Sequence, residues 1–254
     1  MLTPEEVFEN TNDYYNLVEE SNNKIRKDNT TNLRTKNGTV ISARHNIFDI
    51  KIIKEQFLDL QYFPKVIGDD FKPKVVLDIG GYIGDLTLYC ASVYSAKVHC
   101  YEPTPQNYRM VQKNLELNPH LNITAFNKGV SANNESISLN IQDLTGEIHA
   151  SSHKTYDKEV TTIDIPCVSL VEAINTMNEP RIDLLKIDCE GQEFEILKDI
   201  NSEYLAKNVD YLVFEYHKFV DDYQSKLERI LKNLELNFDI LKKTKKLCFL
   251  KGKV

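Results

Sequence analysis

No two of the five cysteines, Cys90, Cys100, Cys167, Cys189 and Cys248, stand in a C-x-x-C pair. Four of them sit in or beside apolar stretches, which leaves buried free thiols in a reducing compartment as the reading. No apolar run approaches the ~20 residues that a membrane helix needs, so no membrane span is expected. The opening MLTPEEVFENTNDYYN has no basic segment followed by an apolar core, so no secretory signal is read and a cytoplasmic location is expected. Positive charge is short as well: 31 Lys and Arg against 38 Asp and Glu give a net charge of −7. Nucleic acids favour basic surfaces, so no nucleic-acid partner is expected. The basic run KKTKKLCFLKGK reads as a solvated face. There is no internal repeat, and no biased segment beyond the Asn-rich start.

What is there is an ordinary globular composition, 41% hydrophobic and 27% charged over 254 residues. Residues 1–72 read as an N-terminal arm. It holds an amphipathic helix in EEVFENTNDYYNLVEE, a hairpin around the Asn37-Gly38 turn, and helical spacing through Ile50, Ile53, Phe57 and Leu60. Residues 73–254 read as an α/β domain. KVVLDIGG, AKVHCYE, NITAFNKGVS, RIDLLKID and NVDYLVFEYH have strand character. DLTLYCASVY, TPQNYRMVQKNLELN, EFEILKDI and DDYQSKLERILKNLEL have helical spacing between them. This alternation predicts a Rossmann-like, mostly parallel sheet. FDILKK and KLCFLKG close the chain as an antiparallel pair. In the second helix Thr104 and Pro105 suit the first positions, and Tyr108, Val111 and Leu115 are expected to line its inner face. An excursion at about 131–165 interrupts the alternation, where a loop often carries binding residues.

In VVLDIGGYIGDLT, Asp78 ends the first strand, Gly80 and Gly81 make the turn and Gly84 opens the helix. Glycine suits a sharp turn that a ligand approaches closely. Tyr82 and Asp85 stand where the dinucleotide fingerprint needs its second and third glycines. A pyrophosphate would meet Asp85, which points to a nucleoside without one. Glu102 ends the next strand about 20 residues on, where an acid accepts hydrogen bonds from ribose hydroxyls. Asp78-x-Gly80-x-x-x-Gly84 followed by Glu102 is the arrangement of S-adenosyl-L-methionine sites.

The motifs DIGGYIGDLT, YEPTPQNYRMVQKNLELN, LLKIDCEGQEFEIL and LVFEYH, in that order, resemble those of the FkbM-type methyltransferases. The resemblance covers about residues 49–252. It departs at Gly81-Tyr82, where the family usually has Ala-Asn. It implies a class I methyltransferase fold, S-adenosyl-L-methionine as methyl donor, and O-methylation of a hydroxyl on a sugar, glycan or secondary metabolite. The match of IIKEQFLDLQYF implies that Tyr62 reaches the cofactor.

Ligands of an open parallel sheet bind beyond the carboxyl ends of its strands, at the point where strand order reverses. Asp188 and Glu190 follow one strand there, and Glu215 and His217 end the next. His217 is the candidate general base. Asp188 or Glu190 would orient it or hold substrate hydroxyls, with Asp188 also beside the donor. Lys186 is the fourth candidate catalytic residue, against a plain role as partner to a carboxylate. Asp188, Glu215 and His217 are alternatively an O,N donor set for Mg²⁺ or another divalent cation. Glu193 reads as a first-turn acid favoured by the helix macrodipole. His149 and His153 lie in the excursion and are secondary substrate candidates. The expected partner is a small molecule or carbohydrate, and the polar arm is a candidate homodimer contact. A nicotinamide-dependent oxidoreductase on a similar sheet and a non-catalytic binding module are the competing readings.

Overall fold

The computed structural model describes residues 1–23, 29–63, 65–68, 70–143, 148–151 and 161–253. The N-terminal part holds α1 (Pro4–Val7), α2 (Thr11–Asn22), the hairpin strands β1 (Thr30–Arg34) and β2 (Val40–Arg44), and α3 (Ile47–Ile53). The helix read across residues 5–20 is two helices. Phe8 leaves α1 in an extended conformation, bridges Thr35 of the hairpin and stacks its buried ring on Tyr14. That apolar contact outweighs the propensity of a continuous helix. The Asn37-Gly38 turn is as expected, with Gly38 at φ +89°.

The alternating region follows: β3 (Val75–Ile79), α4 (Asp85–Val93), β4 (Lys97–Tyr101), α5 (Pro105–Leu117) and β5 (Ile123–Phe126). The excursion contains β6 (Gly129–Ser131), β7 (Ile137–Asp143), β8 (Ile148–Ser151), β9 (Thr161–Ile165) and β10 (Cys167–Ser169). Then come α6 (Leu170–Thr176), β11 (Ile182–Ile187), α7 (Glu193–Leu197), α8 (Ser202–Asn208), β12 (Val209–Glu215), α9 (Tyr223–Leu234), β13 (Phe238–Lys243) and β14 (Leu247–Gly252). Helices α6 and α8 escape the periodicity reading. Both carry a cap: Ser169 accepts from the Glu172 N–H and Asn201 from the Tyr204 N–H.

The central sheet has the order β13-β14-β12-β11-β3-β4-β5. From β12 to β5 every pairing is parallel, while β14 runs antiparallel to both its neighbours. The Rossmann-like sheet with an antiparallel C-terminal strand is therefore present. In the excursion β7 pairs with β8 and β9 in a separate antiparallel sheet, and β6 pairs with β10. Strand order reverses between β3 and β11. The crevice lies beyond their carboxyl ends, at Gly80 and Asp188.

Alternate residues serve opposite faces of this sheet. Leu77, Leu185 and Leu212 join the cluster beneath α6 to α9. Val76, Leu184 and Val213 join a second cluster with α4 and with Phe8, Leu17, Ile41 and Phe57 of the N-terminal part. On α5 the buried residues are Asn107, Met110, Val111 and Asn114; Val111 is as expected, while Tyr108 and Leu115 are not among them. The reason is polar. The Asn114 and Asn118 amides pair with the backbone of β2 at Ser42 and Val40, at 2.6–3.3 Å, and satisfy that strand's outer edge.

Candidate active site

The β3–α4 turn is built on packing that only glycine allows. Gly80 has φ +82°, and a Cβ there would lie 1.7 Å from the Asp188 carbonyl oxygen. A Cβ on Gly81 would lie 2.2 Å from Cys100 Sγ. Gly84 caps α4 at φ +85°. The two strand ends thus meet directly, and the Asp188 N–H donates to the Ile79 carbonyl at 3.0 Å. Tyr82, at φ +51°, is held from the N-terminal part: its hydroxyl donates to Asp49 at 2.9 Å, and the Arg44 guanidinium carbon lies 5.3 Å from its ring centroid. Asp49 is buried and pairs with Arg44 at 2.9 Å.

Tyr82 in turn fixes Glu102. The Tyr82 N–H donates to Glu102 Oε2 at 2.9 Å and the Thr104 N–H to Oε1 at 2.8 Å. Thr104 begins α5 without a side-chain cap, because its hydroxyl also serves Glu102. Burial pushes the Glu102 carboxyl up to about 7, against the two backbone donors that favour its charged form.

Register explains the buried lysine. Lys186 on β11 stands beside Asp78 on β3, and their side chains meet at 3.2 Å. Lys186 also donates to the Gly80 carbonyl at 2.5 Å and lies 4.0 Å from Asp188. Burial alone would lower its pKa, but Asp78, Asp188 and Asp85 raise it above the lysine range. Tyr62 covers this pair: its ring centroid is 5.6 Å from Lys186 Nζ, and its hydroxyl donates to Asp188 Oδ2 at 3.0 Å. For Asp188, Lys186 and His217 overcome burial and hold the carboxyl below its usual range.

Beyond Asp188 the chain turns through Glu190 at φ +50° and Gly191 at φ +108° into α7. Glu193, 1% exposed, receives the Gly191 N–H on Oε2 and the His217 N–H on Oε1, each at 2.9 Å. His217 Nδ1 is also 2.9 Å from Glu193 Oε1. Its Nε2 lies 3.8 Å from Asp188 and 3.7 Å from Glu190. Burial would depress the His217 pKa, but Glu193 foremost, then Asp188 and Glu190, push it up to about 10. Glu215 is also raised from its ordinary value, by a different cause. Burial and the Asp188 charge push it up to about 7, against Lys246 at 3.4 Å.

A cavity with about 1150 Å³ of free space, part of it open to solvent, runs across these groups. Gly80, Tyr82, Glu102, Asp188, Glu190, Glu215 and His217 line it. Asp78, Gly81, Gly84, Tyr62 and Lys186 do not, and stand behind the wall as its support. Asp85 also lies outside the lining; burial pushes its carboxyl well above the carboxylate range, so it is not what a pyrophosphate would meet. The side chain of His149, and the whole of His153, fall outside the described residues.

Asp188, Glu215 and His217 share the cavity but do not form the expected donor set. No three His, Cys, Asp or Glu side chains among the described residues are grouped to hold a metal ion. The His217 ring faces carboxylates on both nitrogens, which favours protons there and offers a cation no lone pair. Several lining or supporting residues escape the sequence reading. Glu193 is one, and its clue was a carboxylate on the apolar side of α7 beside Phe194, Ile196 and Leu197. Lys246 and Glu55, 3.6 Å apart on the cavity wall, carry no local signal.

No helix among the described residues is long and apolar enough to cross a membrane. The family model for the methyltransferase FkbM domain matches residues 78–240. Methyltransferase 1 of Beauveria bassiana (strain ARSEF 2860) is 26% identical over 171 residues, 60% of this chain and 68% of its own length. Hexuronic acid methyltransferase AglP of Haloferax volcanii is 24% identical over 168 residues, 66% of this chain and 65% of its own length. The matches thus span about two thirds of these relatives. A solved structure of the human methyltransferase 10 domain containing protein superposes with a TM-score of 0.48 at 14% identity, over 95% of this chain and 96% of that one. With the match running from Asp78 at the glycine turn past the Glu215–His217 rim into β13, the chain belongs to the FkbM methyltransferase family.

Proposed function

We propose that the chain is an S-adenosyl-L-methionine-dependent O-methyltransferase acting on a hydroxyl of a sugar, glycan or secondary metabolite. The observation that carries this is Glu102: a buried carboxylate on the cavity wall, beside the glycine turn, with both oxygens fixed by backbone donors. It would accept the two ribose hydroxyls. Val130, Ile137 and Leu139 give the cavity an apolar wall for a purine face. The anionic end at Asp188, Glu190 and Glu215 suits a sulfonium cation. When bound, that donor supplies an electrophilic methyl group and a good leaving group, so the protein's task is positioning and removal of one proton. The hexuronic acid named for the Haloferax relative fits a carbohydrate acceptor.

Isothermal titration calorimetry with S-adenosylhomocysteine tests the ribose role. Glu102→Ala is expected to weaken binding about 100-fold, the loss of roughly 3 kcal/mol of hydrogen bonding to a charged group. The fold should persist by circular dichroism. In the unsubstituted protein the affinity should rise between pH 6 and 8, because hydroxyl donors favour the ionised carboxylate. In Glu102→Ala that slope should vanish. Equal affinity in both proteins would remove Glu102 from the ribose site.

A further inference from the structure

The rim holds two side chains of the kinds that serve as general bases, His217 and Glu215, and their surroundings differ. His217 meets a carboxylate at each ring nitrogen: Glu193 at 2.9 Å on Nδ1, and Asp188 and Glu190 at 3.8 and 3.7 Å on Nε2. The Phe219 ring, 5.3 Å away, closes another side without a charge. Glu193 is itself fixed by two backbone N–H donors, one from His217 and one from Gly191. A ring in that setting carries a proton on both nitrogens, with Nδ1–H donating to Glu193, and has nothing with which to accept. Glu215 lies two residues earlier on an extended run, so it faces the same cavity while Tyr216 turns back into the core. The charged groups around Glu215 are Asp188 from β11, His217 from its own run, and Lys246 from the turn before β14, which Glu55 of the N-terminal part shares. Lys246 at 3.4 Å is its one ion-pair partner among the described residues, and its oxygens keep lone pairs toward the cavity.

We propose that Glu215, not His217, takes the proton from the acceptor hydroxyl, and that Glu193 holds His217 as an imidazolium that binds the acceptor through Nε2–H. This rests on the methyltransferase reading of the site. In the step, the acceptor O–H bond breaks and its proton passes to a Glu215 oxygen. The freed oxygen pair forms the bond to the methyl carbon of the sulfonium donor, as the carbon–sulfur pair returns to sulfur. Glu215 then gives its proton to solvent. A carboxylate titrating near 7 has the driving force that a general base needs at neutral pH, while an imidazolium has none. Glu193 is a positioning residue here, since it acts only through His217.

The test needs neither donor nor acceptor. Side-chain NMR of the free protein follows the His217 ring nitrogens, assigned with His217→Gln, and the Glu215 carboxyl carbon, assigned with Glu215→Gln, from pH 5 to 9. His217 is expected to show imidazolium shifts throughout, and Glu215 to titrate with a midpoint near 7. Glu193→Gln should move the His217 midpoint down toward the ordinary 6.5 while the Glu215 midpoint stays raised, a split that general loosening of the rim would not give. A neutral His217 at pH 7.5, or a Glu215 midpoint at its ordinary 4.5 or below, overturns the assignment even if Glu193→Gln fails to fold. Such a result would leave the calorimetric test of Glu102 untouched, so the two failures are distinguishable.

Discussion

Gly80→Ala is expected to lower the melting temperature by roughly 8–16 °C, the equivalent of a loss of about 4 kcal/mol in a domain of this size. Two costs combine. The residue sits at φ +82°, a conformation an L side chain seldom adopts, and the new Cβ would stand 1.7 Å from the Asp188 carbonyl oxygen. The obstacle is backbone, so no rotamer change can relieve it. The ends of β3 and β11 must separate, and with them Asp188 and the Gly80 carbonyl that Lys186 binds. Gly38→Ala is the natural control, because its φ is similarly positive at +89° but nothing lies within 4 Å of a Cβ there. It should cost far less in a thermal melt followed by circular dichroism. Similar losses for the two variants would mean that the strand ends are not packed as described.

Lys186→Met is expected to destabilise the protein by about 3–5 kcal/mol, because it removes the buried cation and leaves Asp78 and Asp188 without it. The size comes from the carboxylates left behind, not from the pair itself. Adding Asp78→Asn should therefore recover part of the loss, a coupling that a double-mutant cycle in urea reads directly. The pH dependence has a definite sign. Asp188 has a depressed pKa in the folded state, so the stability it contributes is present above its unfolded value and lost as pH falls through the folded one. The gap between Lys186→Met and the unsubstituted protein should then shrink below about pH 4, where Asp188 of the unfolded chain takes up its proton and the depressed folded value begins to cost stability. On the alkaline side Lys186 is raised, so the gap should stay level to pH 9. Strict additivity of the two substitutions would contradict the account of a shared charge cluster.

The parts of the site that lie next to their own strand were legible in the sequence. Asp78, Gly80, Glu102, Asp188 and Glu215 each stand at or just beyond a strand's carboxyl end, and a mostly parallel sheet brings such ends to one crevice. The separation of lining from support was not legible. Lys186 reads as a candidate catalytic group until the β3–β11 register sets it beside Asp78. Contacts across long separations were also hidden. Glu193 and His217 are 24 positions apart, and Tyr82 and Asp49 are 33 apart, and both pairings depend on how whole elements pack. Glu193 shows the limit most clearly, since the macrodipole fully accounts for an acid in a first helical turn until its burial is known. Asn114 and Asn118 show the same limit in the fold. Polar residues on an inner helical face look misplaced until the open edge of β2 is found against them.

The central claim is that a sulfonium nucleoside lies across the Gly80 turn with its ribose on Glu102 and its methyl directed at Glu215 and His217. A crystal structure of the complex with S-adenosylhomocysteine tests it most directly. The account predicts both ribose hydroxyls within hydrogen-bond distance of Glu102, the adenine against Val130 and Leu139, and the sulfur facing the Asp188–Glu215 rim. Density for the nucleoside on another face, or in this cavity with Glu102 turned away from the sugar, would contradict it.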